Sequence, residues 1–478
     1  MKPIKFGTRA LATVFTLALA AAILSSPAPR AEGGKVSPAA ERLGRAVQFQ
    51  TISYQDRSQL EVEEFRGFHR FLEGAYPLIH SRLERELIND MSLLYTWEGA
   101  DPSLPALIYT AHIDVVPIEP GTAGDWTHPP FSGRIADGFV WGRGTLDCKG
   151  SLIGLMEAVE SLLSEGYVPR RTIYLAFGHD EEVGGDTGAL AIASLLRERG
   201  VRAEYVLDEG GFIIDGTPLG VSREIALIGI AEKGYLSLEL KVRTEGGHSS
   251  MPPDHTAIGI LAAAITQLEN NPFPPRLEGV ALSTFQSLAP ALPSALRAAV
   301  RAHRLLNPLI IRELSRNQAT NAVIRTTTAA TIIEAGSKEN VLPQEARAVV
   351  NFRLLPGDSI EFVVNRVKKI IDDPRVEVSI IGTPREASLV TSTDSLGYQT
   401  LTGVIREMFP QVAPAPYLVL GGTDARHYEL VSDSIMRFVP HRLDETDQAR
   451  IHGTNERLSL ENLDKSVEFY SRLIKALD

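Results

Sequence analysis

A chain of 478 residues with 44% apolar and 22% charged residues has the length for two domains and the composition of an ordinary globular protein. Its net charge of −11 argues against a surface that binds nucleic acid. Cys148 is the single cysteine, which excludes an intrachain disulfide and a four-cysteine zinc site, so a bound metal would need histidine and carboxylate ligands.

The first 31 residues have the three-part pattern of a secretory signal. Lys2, Lys5 and Arg9 precede an uncharged apolar run at 10–24, and small, helix-breaking residues follow at 25–29. This run is shorter than the roughly 20 residues of a membrane-spanning helix. We therefore predict a signal peptide over residues 1–31 and a secreted or periplasmic protein. Retention of the segment as a membrane anchor is the alternative, and only then do we expect contact with a membrane.

Helical and buried-strand patterns alternate along much of the remaining chain. Residues 36–95 have apolar positions at helical spacing, and 151–165 is an amphipathic helix that Gly166 ends. Apolar runs predict strands at 105–111, 172–177, 203–207 and 435–439. Alternating strands and helices predict an α/β fold with a mostly parallel sheet and flanking helices.

Residues 231–385 have a different pattern. Segments beginning at Tyr235, Ala346 and Val376 alternate strictly between apolar and other residues, which is typical of strands with one exposed face. Helical stretches lie between them. We predict a separate α+β domain here, so that the first domain is discontinuous and consists of residues 36–230 and 386–478. Residues 286–325 have no predicted role.

Acidic and histidine residues follow several predicted strands, where open α/β sheets bind their ligands. Each has an ordinary structural explanation when it is taken alone, such as a helix cap for Asp147 or a solvated turn for the paired glutamates. The candidates are His112, Asp114, Asp147, Glu181, Glu182, Asp208 and His452.

The charges of these residues match a site for two divalent metal ions. Asp147, Glu182 and Asp208 together with a bridging hydroxide would neutralise the four positive charges of the ions. Because Glu181 and Glu182 are adjacent, an extended backbone points them in different directions, so one can bind metal while the other acts as a base. Paired metals with a free carboxylate indicate metal-assisted hydrolysis.

These motifs resemble the di-zinc aminoacylase/carboxypeptidase metallohydrolases, in particular the branch of carboxypeptidase S (Gly-X carboxypeptidase) and the secreted N-acyl-amino-acid hydrolases. The similarity runs from about residue 40 to the C-terminus. The motifs that carry it, in chain order, are AHIDVVP at 111–117, WGRGTLDCKG at 141–150, HDEEVGG at 179–185, LDEGG at 207–211, GGHSS at 246–250, NVLP at 340–343 and IHGTNE at 451–456.

The resemblance implies a zinc-peptidase-like catalytic domain interrupted by a lid or dimerisation domain at 231–385, and two Zn²⁺ ions that Co²⁺ or Mn²⁺ could replace. It implies that His112 and Asp208 bind one ion, that Glu182 and His452 bind the other, and that the Asp147 carboxylate bridges the two ions. It also implies that the Asp147–Cys148 peptide bond is cis.

The resemblance also implies roles beyond metal binding. Glu181 would be the general base, Asp114 would orient His112, and His248 would reach the substrate carbonyl, commonly from the neighbouring subunit of a homodimer. The implied substrate-binding residues are Asn340, Arg353, Gly421, Gly422 and Thr423.

The expected activity is hydrolysis of the amide bond of a dipeptide or N-acyl amino acid next to a free C-terminal carboxylate. An N-fatty-acyl amino acid hydrolase, which could also run in the condensing direction, is the alternative within enzymes. A metal-dependent peptide or amino-acid binding protein is the non-enzyme alternative, and retention of Glu181 and of every ligand argues against it.

Overall fold

The computed structural model describes residues 36–477, so the predicted signal peptide lies outside the described residues. Its helices are α1 (Pro38–Val47), α2 (Val62–Ala75), α3 (Pro77–Arg82), α4 (Lys149–Ser164), α5 (Ala189–Glu198), α6 (Ala257–Asn270), α7 (Gly279–Leu288), α8 (Ser294–Arg301), α9 (His303–Leu314), α10 (Gln318–Val323), α11 (Ile360–Ile371), α12 (Leu396–Met408), α13 (Glu445–Gln448) and α14 (Leu460–Lys475).

Short 3-10 turns join several of these elements. The strands are β1 (Glu84–Ile88), β2 (Ser92–Trp97), β3 (Ala106–His112), β4 (Arg134–Ala136), β5 (Phe139–Trp141), β6 (Ile173–Gly178), β7 (Ala203–Asp208), β8 (Ile213–Ile214), β9 (Ile225–Glu232), β10 (Gly234–Arg243), β11 (Gly247–His248), β12 (Thr327–Ala335), β13 (Val341–Leu342), β14 (Glu345–Leu354), β15 (Val376–Arg385), β16 (Ala413–Val419), β17 (Ile435–Arg437) and β18 (Arg457–Ser459).

The larger sheet has the strand order β1-β2-β6-β3-β7-β17-β9-β16, with β8 paired to β9. The pairs β6–β3, β3–β7, β7–β17 and β9–β16 are parallel. Helices α1, α4 and α14 share the main apolar core on one side of this sheet. Helix α5 and the 3-10 turn Asp424–Leu430 pack on the other side. The predicted α/β fold with a mainly parallel sheet and flanking helices is therefore confirmed.

The predicted helical region at 36–95 is wrong for its last part. Strands β1 and β2 form an antiparallel hairpin, with Ile88 opposite Ser92. Asn89 and Asp90 both have positive φ in the connecting turn, as tight hairpin turns that match the strand twist require. The Asn-Asp pair between two apolar runs was the available sequence signal for this hairpin.

A second, four-stranded antiparallel sheet has the order β12-β14-β10-β15. Its buried face packs against α6 and α11 around a separate apolar core that includes Leu238, Leu261 and Val350. Helices α7 to α10 lie between α6 and β12, and α7 packs on β16 at the edge of the larger sheet, where the Thr284 hydroxyl donates to the Pro416 carbonyl. The polypeptide crosses between the sheets at Lys233.

No helix within residues 36–477 combines the length and the apolar character that a membrane span needs.

Candidate metal centre and active site

His112 is the centre of a buried polar cluster at the carboxyl end of β3. Its Nε2 lies 2.8 Å from Asp147 Oδ1 and 3.0 Å from Glu209 Oε1. Its Nδ1 lies 2.9 Å from the backbone oxygen of Asp114, which orients the ring. A ring nitrogen between two carboxylate oxygens has the geometry of a metal ligand or of a shared proton.

His452 has the same arrangement on the other side of Asp147. Its Nε2 lies 3.0 Å from Asp147 Oδ2 and 3.0 Å from Glu182 Oε2. These two carboxylates raise the pKa of His452 to about 10. Asp147 therefore connects the two histidines, as a bridging ligand would, and its peptide bond to Cys148 is cis, as the resemblance implies.

A buried ion pair holds the loop that carries His452. Glu456 is fully buried and accepts from Arg143 Nη1 at 2.6 Å and from the backbone N–H of Leu146 at 2.8 Å. Arg143 also donates to the His452 carbonyl at 3.0 Å. His452 adopts a positive φ of 60°, a conformation that such a network can maintain. Glu456 and Arg143 thus join the chain segments that supply Asp147 and His452.

Asp114 connects β3 to the acidic turn after β6. Its carboxylate is fully buried and accepts from Ser53 Oγ at 2.6 Å, and from the backbone N–H groups of Glu181 and Glu182 at 3.1 and 3.2 Å. Asp114 Oδ1 lies 3.4 Å from His112 Nδ1, and the role of this carboxylate in orienting His112 stays a prediction. Asp114 also positions both glutamates, which sequence reasoning did not predict.

The cluster has an excess of buried negative charge. Burial raises the pKa of Glu182 to about 7 and that of Glu209 to about 8, and burial also raises the pKa of Glu181 well above its usual range. Glu182 Oε1 has no hydrogen-bond partner within the described residues. Buried carboxylates without partners are costly unless a cation is present.

The donor set fits divalent metal ions. His112, Asp147 and Glu182 form one group of ligand atoms close enough to hold an ion, and His112, Cys148 and Glu209 form another. Metal bonds of about 2.0–2.2 Å to histidine nitrogen and carboxylate oxygen place neighbouring ligand atoms about 3 Å apart, as observed here. Imidazole with carboxylate is a donor set that suits zinc and related metals.

Asp208 lies at the end of β7 but apart from this contact set. Its Oδ2 has no hydrogen-bond partner within residues 36–477. The charged groups that interact with it include Arg437, Glu232, Glu209 and Asp424. The next residue, Glu209, is the one whose carboxylate reaches His112 Nε2. Sequence reasoning missed Glu209, although the motif places two acids in succession at this strand end.

Asp180 shapes the turn that carries the two glutamates. Its carboxylate accepts from the backbone N–H groups of Thr187 and Gly188 at 2.9 and 2.8 Å and from Thr187 Oγ1 at 2.6 Å. The backbone oxygen of Asp180 accepts from the Gly185 N–H at 2.7 Å. Residues 180–188 therefore form a closed loop around the Asp180 carboxylate.

His248 and Asn340 lie together on an exposed part of the smaller sheet's domain. Strands β11 and β13 pair His248 with Val341, and Ser249 N–H donates to the Asn340 carbonyl at 3.2 Å. The hydrogen bonds of the His248 ring are with Ser250 in the same loop. The structure thus brings these two predicted substrate residues together, on a surface open to solvent.

Arg353 extends from β14 and lies over the Tyr235 ring, with 4.8 Å between the guanidinium carbon and the ring centroid. It makes no ion pair within the described residues. Burial lowers its pKa, and the positive charge of Arg426 adds to this effect. A partly buried guanidinium without an acidic partner is a candidate site for an anion.

The predicted glycine loop lies beside a buried glutamate. Gly421 and Gly422 are exposed, but Thr423 donates both its backbone N–H and its hydroxyl to Glu232, at 3.0 and 2.7 Å. Glu232 also pairs with Arg437. The donors of Thr423 are therefore already used within the protein.

The fold and the site define a class of protein: an α/β metallohydrolase with paired histidines and carboxylates at the end of a mainly parallel sheet. Residues 108–476 match the model of Peptidase family M20/M25/M40, and the chain belongs to this family. It is an enzyme of the metallopeptidase type.

Related proteins are similar in sequence to this chain over nearly its whole length. "Probable carboxypeptidase S-like 2" of Dictyostelium discoideum is 43% identical over 91% of this chain and 84% of its own length. "N-fatty-acyl-amino acid synthase/hydrolase PM20D1" of Homo sapiens is 40% identical over 92% of this chain and 87% of its own length. A metallo-carboxypeptidase of this family from Sulfolobus solfataricus has a similar fold, with a TM-score of 0.65 and 18% identity over 92% of this chain and 99% of that one.

Proposed function

We propose that this enzyme binds two zinc ions and hydrolyses the amide bond of a dipeptide or an N-acyl amino acid next to a free C-terminal carboxylate. The observation that carries the proposal is the arrangement of His112 and His452 on either side of Asp147, with Glu182 completing one side. Bound zinc would lower the pKa of a bridging water and polarise the substrate carbonyl. For the remaining ligand, the distance to His112 favours Glu209 over Asp208.

Glu181 is the proposed general base. Asp114 holds its backbone N–H, and none of its hydrogen bonds within the described residues involves its carboxylate. Burial raises the pKa of Glu181, which makes its carboxylate a stronger base toward the attacking water. Glu181 would take a proton from the attacking water and deliver it to the leaving amine.

Arg353 is the proposed partner of the substrate carboxylate. Its guanidinium has no acidic partner within the described residues, and Tyr235 holds it in a defined orientation. Asn340, Gly421, Gly422 and Thr423 remain proposed substrate contacts. For Thr423, the bonds to Glu232 would have to be shared or exchanged.

His248 is proposed to contact the carbonyl of a substrate that is bound in the active site of a second copy of the chain. Its exposure on β11 supports this role, because the ring is open to another subunit. The domain with the smaller sheet, residues 231–385, would then act as the lid and as the dimer interface. Export through the N-terminal signal is likewise part of the proposal.

Hydrolysis or synthesis of N-fatty-acyl amino acids is the second candidate function. The observation that favours it is the 40% identity to a relative named for that reaction, over 92% of this chain. Both candidate activities act on an amide bond next to a carboxylate. The length of the acyl group distinguishes them.

A substrate panel with the Glu181→Gln variant tests the proposal. We expect the wild type, freed of metal by a chelator and resupplied with zinc, cobalt or manganese, to hydrolyse Gly-Xaa dipeptides, acetyl-amino acids or long-chain acyl-amino acids. Glu181→Gln should lose about 10²–10⁴-fold in kcat while binding of the same substrate survives, because general acid–base catalysis contributes that much.

The exposed residue Glu165 offers a matched control, because Glu165→Gln should leave kcat unchanged. If the wild type hydrolyses no member of the panel with any of the three metals, the proposed function is wrong. A protein that binds these compounds without turnover would instead support the non-enzyme alternative.

A further inference from the structure

The segment from α7 to β12 differs in charge from the rest of the chain. Residues 279–326 contain six arginines and one glutamate, with no lysine and no aspartate, whereas the whole chain has a net charge of −11. The arginines are Arg297, Arg301, Arg304, Arg312, Arg316 and Arg325. The segment is therefore a local positive region on an acidic protein.

Helix α9 displays part of this charge together with large apolar side chains. Arg304, Leu305, Leu309 and Arg312 fall within an arc of about 140° on the helix, at 100° per residue. Leu305 is 86% exposed and Leu309 is 57% exposed. Arg304 and Arg312 are exposed and make no ion pair within the described residues. We call these four residues, with Arg301 at the end of α8, the α9 outer face.

The opposite side of α9 is packed. Ile310, Ile311 and Leu314 contact a small apolar core that includes Leu277 and Ile324. Helix α9 therefore has its own core contact on one side, and the α9 outer face lies on the other side. It presents leucines and arginines to solvent on a helix whose orientation is determined by packing.

We propose that the α9 outer face docks on the surface of an anionic lipid bilayer. Guanidinium groups bind lipid phosphates, and leucines on the same face insert at the boundary of the acyl chains. Nucleic acid or an acidic peptide would match the arginines, but it would leave the two leucines in water. This inference does not depend on which amide bond the active site hydrolyses.

A fluorophore attached to the outer face tests the proposal directly. Cys148 is fully buried, so a cysteine introduced by Leu309→Cys can be labelled selectively with an environment-sensitive dye. We expect a blue shift with vesicles of phosphatidylcholine and phosphatidylglycerol, and none with phosphatidylcholine alone. High salt should weaken the response, because screening acts on exposed charges.

Two controls separate this face from other causes of vesicle binding, including the N-terminal apolar segment. Val168, which is 63% exposed in the loop after α4, gives a matched labelling site through Val168→Cys, and we expect no shift there. Replacing two charges in the labelled protein, Arg304→Gln with Arg312→Gln, should weaken the vesicle affinity about thirtyfold and leave hydrolysis of a soluble substrate unchanged.

The proposal is overturned if the dye at position 309 shows no shift with anionic vesicles, or if positions 309 and 168 shift equally. Unchanged vesicle affinity of the double arginine variant would also contradict it. If soluble polyglutamate produces the same shift, the partner is an acidic polypeptide and the lipid proposal is wrong.

Discussion

Adjacent acids follow β6 at 181–182 and stand at the end of β7 at 208–209, and in each pair the two side chains face different surroundings. Glu182 contacts His452, whereas no hydrogen bond involves the Glu181 carboxylate within residues 36–477. Glu209 contacts His112, whereas Asp208 lies near Arg437 and Glu232. The expectation of an extended backbone at Glu181 and Glu182 is wrong, because both lie in the 3-10 turn Glu181–Val183. The turn still directs the two side chains to different surroundings, so it can supply a ligand and a second group with another role.

The two acids after β7 give a prediction about metal binding. We expect Glu209→Gln to weaken zinc binding by at least about tenfold, because it removes a carboxylate 3.0 Å from His112 Nε2. Asp208→Asn is the matched control, with the same loss of charge one residue away, and it should have the smaller effect. Calorimetric titration of the chelator-treated proteins with zinc measures both. A larger loss for Asp208→Asn would contradict this prediction and support Asp208 as the metal ligand, as the sequence analysis expected.

At the scale of elements, the turn after β6 is held by the Asp180 carboxylate, which does not contact the polar cluster around His112. Asp180 closes residues 180–188 by accepting from two backbone N–H groups and the Thr187 hydroxyl. Hydrogen bonds to a charged acceptor contribute about 1.5–3 kcal/mol each, more than neutral ones. These hydrogen bonds therefore restrain the part of the turn that carries Glu181 and Glu182.

The Asp180→Asn substitution tests this role. We expect kcat to fall about tenfold with little change in KM, because a looser turn misplaces Glu181 without altering the substrate contacts. Asp215 makes the two threonine contacts of this kind in an exposed loop, without the second backbone N–H, accepting from Thr217 N–H at 3.0 Å and Thr217 Oγ1 at 2.8 Å. Asp215→Asn should leave both kinetic constants unchanged. Equal effects of the two substitutions would remove the argument for Asp180.

At the scale of the whole molecule, a few contacts connect the two sheets. Lys233, at the crossing, donates to the carbonyls of Ala322 and Arg325 at 2.9 and 2.8 Å. Arg385, at the end of β15, donates to the Gly184 carbonyl at 3.0 Å and so reaches the turn that carries Glu182. Movement of the smaller sheet would therefore act directly on the acidic turn.

Buried histidines make the stability of the whole fold depend on pH. His441 is 1% exposed, its Nε2 lies 2.9 Å from Ser466 Oγ, and burial lowers its pKa to about 4. The unfolded chain, in which the histidine pKa is about 6.5, binds more protons in this range. The free energy of unfolding therefore falls as the pH drops from about 6.5 to about 4.

This pH dependence can be measured with His441→Gln. In the wild type, His441 should contribute a loss of about 2 kcal/mol in the free energy of unfolding between about pH 7 and pH 5, from the pKa difference. The variant should lose that contribution, so its urea midpoint should change less over the same pH range. His255 is exposed, and His255→Gln serves as the control with an unchanged profile. Identical profiles for the wild type and His441→Gln would contradict the prediction.

The sequence by itself determined the α/β class, the positions of several strands of both sheets and the residue types of the site. Apolar runs identified β3, β6 and β7, because buried parallel strands need apolar side chains on both faces. Sequence motifs also predicted four site residues that the structure brings together, namely His112, Asp147, Glu182 and His452. These conclusions depend on local patterns and ordered motifs, which a sequence records directly.

Only the tertiary structure decided which atoms meet. Three features of the site depend on segments far apart in the chain. They are the contact of Glu209 with His112, the ion pair of Arg143 with Glu456, and the packing of Arg353 over Tyr235 without an acidic partner within the described residues. The hairpin of β1 and β2 depends on pairing with β6 as well as on its own turn. Side-chain direction at a strand end is set by the register of the neighbouring strands, and that register is a property of the folded sheet.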